Sequence, residues 1–139
     1  MSKFTGLNPA NVTPLTPDGS DIDEPSLERH LADLAGHPRV NGIVTNGHAG
    51  EVYALSPAER RRVVELAVEV SDDDTPIVAG AVGGSTSAVI DGIEDAVAAG
   101  ADGILVVPPH TPIHNRREAA VGFFEAIASA SDVRRRLGR

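Results

Sequence analysis

The stretch Ala99-Gly100-Ala101-Asp102-Gly103-Ile104-Leu105-Val106-Val107-Pro108-Pro109 decides how the rest of the chain is read. Gly100 sits where a helix stops, because glycine enters a left-handed C-terminal cap without a Cβ penalty. Gly103 to Val107 is an apolar run without polar alternation, the pattern of a parallel strand covered on both faces. Pro108 and Pro109 cannot donate to a ladder, so the strand breaks there. A helix end, a short turn, a strand and a break together form the joint of a β-α repeat.

The same grammar repeats in both directions. Upstream, a third helix runs to about Ala99, after a loop Gly83-Gly84-Ser85 and a strand over Pro76 to Ala81. Before that strand, Ser56-Pro57-Ala58-Glu59 opens a second helix. Ser56 can cap it, Pro57 suits its first position, and Glu59 completes a capping box. Val63, Val64, Ala67 and Val70 form its apolar stripe, and Asp72-Asp73-Asp74 closes the unit. A strand over Asn41 to Thr45 and the loop Asn46-Gly47-His48-Ala49-Gly50-Glu51 precede it. Further back, Leu27, Leu31 and Leu34 mark a first helix over Ser26 to Leu34, which His37-Pro38 ends. A first strand is predicted near Ala10 to Thr13, followed by a turn through Pro14, Pro17, Asp18 and Gly19. Downstream, a long loop reaches Arg116. A last helix is predicted over Glu118 to Ala130, with Val121, Phe124, Ile127 and Ala128 on its apolar face.

Four strands alternating with four helices, about 25–35 residues apart, predict parallel β-α units in an α/β fold. The chain has 139 residues, whereas a full (β/α)8 barrel needs about 250. Four repeats fit and eight do not. Periodicity alone leaves two architectures open, half of such a barrel and a doubly wound sheet. No glycine-rich dinucleotide fingerprint follows the first strand, which weakens the second. Residues 1–133 read as one unit, with residues 134–139 as a basic tail outside it.

The formal charge is −8, the opposite of a nucleic-acid-binding footprint. Lys3 is the sole lysine, against eleven arginines. An acidic, lysine-poor composition of this kind fits a halophilic protein solvated at high salt. With no cysteine, disulfides, thiolate zinc sites and a cysteine nucleophile are excluded. Met1-Ser2-Lys3-Phe4-Thr5 lacks the charged and apolar regions of a signal peptide. No apolar run approaches the ~20 residues of a membrane helix. A soluble, cytoplasmic protein without membrane or nucleic-acid partners is expected.

In both architectures sites form at the C-terminal ends of the strands. That singles out Thr13, the loop from Thr45 to Glu51, Gly83-Gly84-Ser85, and Pro108 to Asn115. The loop after the second strand is the most informative. Gly47 and Gly50 permit a tight path whose N–H groups suit a carboxylate or phosphate. His48 either touches a substrate or faces solvent. Glu51 is a candidate base, with a hydrogen-bonded structural role as the blander reading. His110 and His114 have a metal-like spacing, but Pro108, Pro109 and Pro112 oppose the helix that would align them, so no metal site is expected. His30 and His37 are expected at the surface.

Several features recur here in a fixed order: Val12-Thr13-Pro14 with Asp18-Gly19, then Gly42-Ile43-Val44 leading to Gly47-His48-Ala49-Gly50-Glu51. Next come Leu55-Ser56 with Glu59-Arg60, Val78-Ala79-Gly80, and Ala99 to Gly103 running into Leu105-Val106-Val107-Pro108-Pro109. Each is weak alone. The ordered set, over residues 4 to 133, resembles the dihydrodipicolinate synthase/N-acetylneuraminate lyase family. The resemblance implies the N-terminal half, four β-α units, of a TIM barrel of class I aldolase type.

It also implies chemistry in which a lysine on a later strand forms a Schiff base with pyruvate or another 2-oxo acid, assisted by a tyrosine on another later strand. The G-x-x-G-E loop would hold the carboxylate, which makes His48, Ala49 and Gly50 the substrate-binding residues, with no cofactor and no metal. Family members that are true synthases carry hydroxyl residues at the two variable positions, and Ala49 cannot relay a proton. The family's aromatic pair after the fourth strand is not evident around His110 and Thr111. The implied activity is therefore that of a lyase or dehydratase on another 2-oxo acid, of sugar-derived type, rather than a lysine-biosynthetic synthase. Lys3 precedes the first strand and Tyr53 does not match the catalytic tyrosine. Arg134-Arg135-Arg136-Leu137-Gly138-Arg139 does not read as a buried fifth strand, and suggests a frameshift, a premature stop or a solvated tail. The expectation is a fragment inactive alone. The alternative is a non-catalytic half-barrel that associates through its open edges with itself or with a separate C-terminal half.

Overall fold

Parallel pairing organises the computed structural model, which describes residues 4–109 and 116–130. Strands β1 (Ile43–Thr45), β2 (Ile77–Ala81) and β3 (Gly103–Val106) form one sheet in chain order. Ile43, Val44 and Thr45 lie opposite Ile77, Val78 and Ala79. Ala79, Gly80 and Ala81 lie opposite Ile104, Leu105 and Val106. Helices α1 (Glu24–Ala35), α2 (Pro57–Val70), α3 (Thr86–Ala98) and α4 (Arg117–Ala130) alternate with these strands.

The helix ends follow their local chemistry. Asp23 caps α1 by accepting from the Ser26 N–H. Around α2 the capping box is complete: the Ser56 N–H donates to Glu59 Oε2 at 2.7 Å, and the Glu59 N–H to Ser56 Oγ at 3.3 Å. At the end of α3, the Gly100 N–H donates to the Val97 carbonyl and the Ala101 N–H to that of Ala96. That double closure requires the left-handed Gly100, at φ 99°. An ion pair ties α1 to α2, with Nε and Nη2 of Arg62 each donating at 2.9 Å to the Glu24 carboxylate. This pairing holds the Glu24 carboxyl below its ordinary pKa.

The first predicted strand needs correction. Around Ala10–Thr13 the chain forms single parallel bridges, Leu7 with Val40 and Ala10 with Val44, and not a regular strand. The Val44 N–H donates to the Pro9 carbonyl and the Asn11 N–H to the Val44 carbonyl, which makes the single bridge at Ala10; the Leu7 bridge is one residue out of register with it, so no continuous ladder joins the two.

The two architectures left open differ in where the helices pack. Here one face of the sheet takes all four. Ile43, Ile77 and Ala79 pack with Leu27 and Leu31 of α1 and with Val63, Val64 and Leu66 of α2. Ala81 packs with Val89 and Ile93 of α3 and with Phe123 and Ile127 of α4. Among the described residues no helix packs on the opposite face, where Val12 is 51% and Leu105 46% exposed. At its N-terminal end the Phe4 ring lies over Gly103, close enough that a Cβ there would be 2.7 Å from Phe4 Cζ. A doubly wound sheet covers both faces, whereas a barrel wall covers one. The last helix also departs from its predicted face. Phe123 and Ile127 are the buried residues, while Val121 and Phe124 point away from α3, 46% and 45% exposed.

Candidate functional site

The loop that leaves β1 is built from backbone constraints first. Asn46, 2% exposed, takes a positive φ of 53°. This turns its carbonyl across β2 at Gly80, where any Cβ would overlap the Asn46 carbonyl oxygen. Glycine at that position is a steric requirement. The chain then coils tightly. The N–H groups of Gly50 and Val52 donate to the Gly47 carbonyl, that of Glu51 to His48, and that of Ala54 to Glu51.

Three contacts anchor this coil. The Val52 side chain is fully buried. Arg60 Nε, from the first turns of α2, donates to the Val52 carbonyl at 2.9 Å. Asn46 Nδ2 donates to the Arg60 carbonyl at 2.9 Å. Burial pushes the Arg60 guanidinium below its ordinary pKa, with Tyr53 nearby opposing the shift. In the sequence Arg60 shows only as a letter of the Leu55-Ser56…Glu59-Arg60 motif, without a role. Its anchoring contacts cross eight and more residues, and periodicity does not carry them.

On this base Gly50 is buried and His48 and Ala49 are exposed. A Cβ at Gly50 would be 3.2 Å from Thr13 Oγ1 and 3.4 Å from the Asn11 carbonyl oxygen, so the first segment passes directly under the loop. Thr13 Oγ1 and Asn11 Oδ1 are buried there without hydrogen-bond partners. The Ala49 N–H donates to no group among the described residues. The Ala49 N–H is thus an unmet donor on an exposed residue, of a kind that a carboxylate oxygen or an ordered water can meet.

The structure places Thr13 against Gly50 of the Gly47–Gly50 loop, two of the strand-end positions that the sequence singles out. Glu51 differs from its structural reading. At φ 53° it faces solvent, and its carboxylate makes no hydrogen bond or ion pair among the described residues. His30 is half-buried rather than at the surface, and its Nε2 accepts from the Val12 N–H at 3.3 Å. Gly83-Gly84-Ser85 serves α3, with Ser85 Oγ accepting from the Ala88 N–H. A cavity of about 330 Å³ opens between α2 and α3, lined by Arg60, Arg61, Gly84, Asp91 and Asp95 among others, and none of His48, Ala49 or Gly50 reaches it. His110, Thr111 and His114, and the tail at 134–139, lie outside the described residues. Among the described residues no three His, Asp or Glu side chains cluster as a metal site would require, and no helix is long and apolar enough to cross a membrane.

Comparison with known proteins adds a lineage to this geometry. The sequence profile of the dihydrodipicolinate synthetase family matches residues 3–135. The chain is 36% identical over 130 residues to a 4-hydroxy-tetrahydrodipicolinate synthase of Methanothrix thermoacetophila, covering 94% of this chain and 42% of that protein. It is 45% identical over 89 residues to a protein named as a probable 5-dehydro-4-deoxyglucarate dehydratase of an Arthrobacter species, covering 64% of this chain and 29% of the other. Among solved structures it superposes on a dihydrodipicolinate synthase family protein from Coccidioides immitis with a TM-score of 0.83 and 31% identity, over 91% of this chain and 41% of that one. The chain thus spans about two fifths of the length of the full-length relatives it matches end to end.

Proposed function

The chain belongs to the dihydrodipicolinate synthetase family and folds as the N-terminal half of its barrel, and from that premise we propose that it is the part of a Schiff-base lyase or dehydratase that holds the carboxylate of a 2-oxo acid. The loop at Gly47–Gly50 carries this reading. It offers the unmet N–H of the exposed Ala49 and a glycine pressed onto Thr13, at the C-terminal end of a parallel strand, where barrel enzymes bind their substrates.

In a reaction of this class a lysine amine condenses with the substrate ketone and expels water. The protonated imine then draws electrons from the adjacent bond. Lys3, the sole lysine of these 139 residues, precedes the first paired segment, so the covalent step falls to residues outside this sequence. The part of this chain is to bind and orient the carboxylate, with His48 facing the substrate.

The two relatives' names point to different reactions, and the loop favours one. Ala49 has no hydroxyl with which to relay a proton, which argues against the synthase reaction. The similarity to the dehydratase supports a hydroxylated, sugar-acid type of 2-oxo acid. Titrating the 15N-labelled chain with pyruvate is expected to shift the Ala49 and Gly50 amide resonances, and unmoved resonances there would overturn the proposal. A stoichiometric, saturable borohydride adduct with pyruvate would overturn the view that the covalent step lies outside these residues.

The uncovered sheet face supports a second reading beside the first, a half-barrel that pairs with another β-α half. Val12 and Leu105 are apolar, half-exposed and on the same side, as an association surface requires.

A further inference from the structure

Tyr53 is the lone tyrosine of the chain, and the function proposed above gives it no role. It is about half exposed and belongs to neither core cluster. Its ring instead meets that of His48, with centroids 5.5 Å apart and planes inclined at 56°. The base under Tyr53 is rigid. Val52, the residue before it, is the buried plug of the loop, and its carbonyl is held by Arg60. The Ala54 N–H, just after it, donates to Glu51. His48 sits on the opposite limb of the same coil, where its carbonyl accepts from Glu51. Alone, an exposed imidazole on a loop samples several rotamers and loses that freedom when it contacts a ligand. A neighbouring ring fixed from below removes part of that loss in advance.

We propose that Tyr53 is a positioning residue for His48, holding the imidazole at the mouth of the carboxylate loop so that it meets the carbon chain of the 2-oxo acid already oriented. The inference rests on the carboxylate-holding reading of the loop for its ligand, but the ring pairing is a property of the unliganded chain.

NMR of the histidine-labelled chain separates the two parts. In the unliganded protein, His48 ring protons are expected to carry a ring-current shift and a cross-peak to Tyr53. Tyr53→Ala is expected to abolish both and Tyr53→Phe to restore both. Titration with a hydroxylated 2-oxo acid is then expected to show about 3- to 10-fold weaker binding for Tyr53→Ala, again restored by Tyr53→Phe. His48 resonances indifferent to Tyr53→Ala would overturn the proposal. So would unchanged affinity in Tyr53→Ala alongside weakened affinity in His48→Ala. If the unmodified chain binds no 2-oxo acid, the carboxylate reading fails and the substrate-facing role falls with it, while the ring-current signature still decides the pairing.

Discussion

At Gly80 a single missing methyl group lets β1 turn into its loop, because the Asn46 carbonyl occupies the space a side chain would need. Backbone cannot step aside as a flexible side chain can. Gly80→Ala is therefore expected to cost about 3 kcal/mol, measured by urea denaturation. Gly84→Ala, where a Cβ meets nothing within 4 Å, should stay within ~0.5 kcal/mol. Equal midpoints for the two variants would contradict this account of the loop. In the sequence Gly80 is one letter of the ordered set that carries the family resemblance, and Gly47 and Gly50 allow a tight path. The reason for Gly80 was not legible, because its partner lies 34 positions earlier and no local pattern links the two. His48, Ala49 and Gly50 were legible as neighbours. Their support was not, since Arg60 and Asn46 act through backbone carbonyls that any residue could present.

Elements were the most legible scale. Ser56, Pro57 and Glu59 announce the start of α2, and Gly100 the end of α3, because caps are local chemistry. Two elements came out differently for non-local reasons. The Ala10–Thr13 segment pairs only at Ala10, with Val44 34 residues on, one residue out of register with the bridge of Leu7 to Val40. In α4, helical spacing alone allowed either Phe123 or Phe124 to face inward, and the position of α3 decided for Phe123. Truncation tests that decision. Phe123→Ala is expected to cost about 3–5 kcal/mol, whereas Phe124→Ser, at a position 45% exposed, should stay within ~0.5 kcal/mol. The reverse order in thermal or urea unfolding would place the wrong face of α4 on α3.

The molecule as a whole has one finished side and one unfinished. Whether the strands belong to a barrel wall or a doubly wound sheet was not readable from periodicity, since apolar spacing does not say to which face a crossover returns. The common packing of α1 to α4 on one face decides it. The open face carries the association prediction. Sedimentation velocity at tens of micromolar is expected to show species larger than the monomer, and Leu105→Asp is expected to shift them toward it. A homogeneous monomer for the unmodified chain would remove the reading that this half-barrel pairs with another. The pairing order of the sheet, with each segment beside the one just before it in the chain, also bears on synthesis. A nascent chain leaving the ribosome can close each pair with the segment released before it, and no earlier pair must open to admit a later one. The structure therefore grows at its leading edge by accretion, and at every stage that edge is also its most adhesive part.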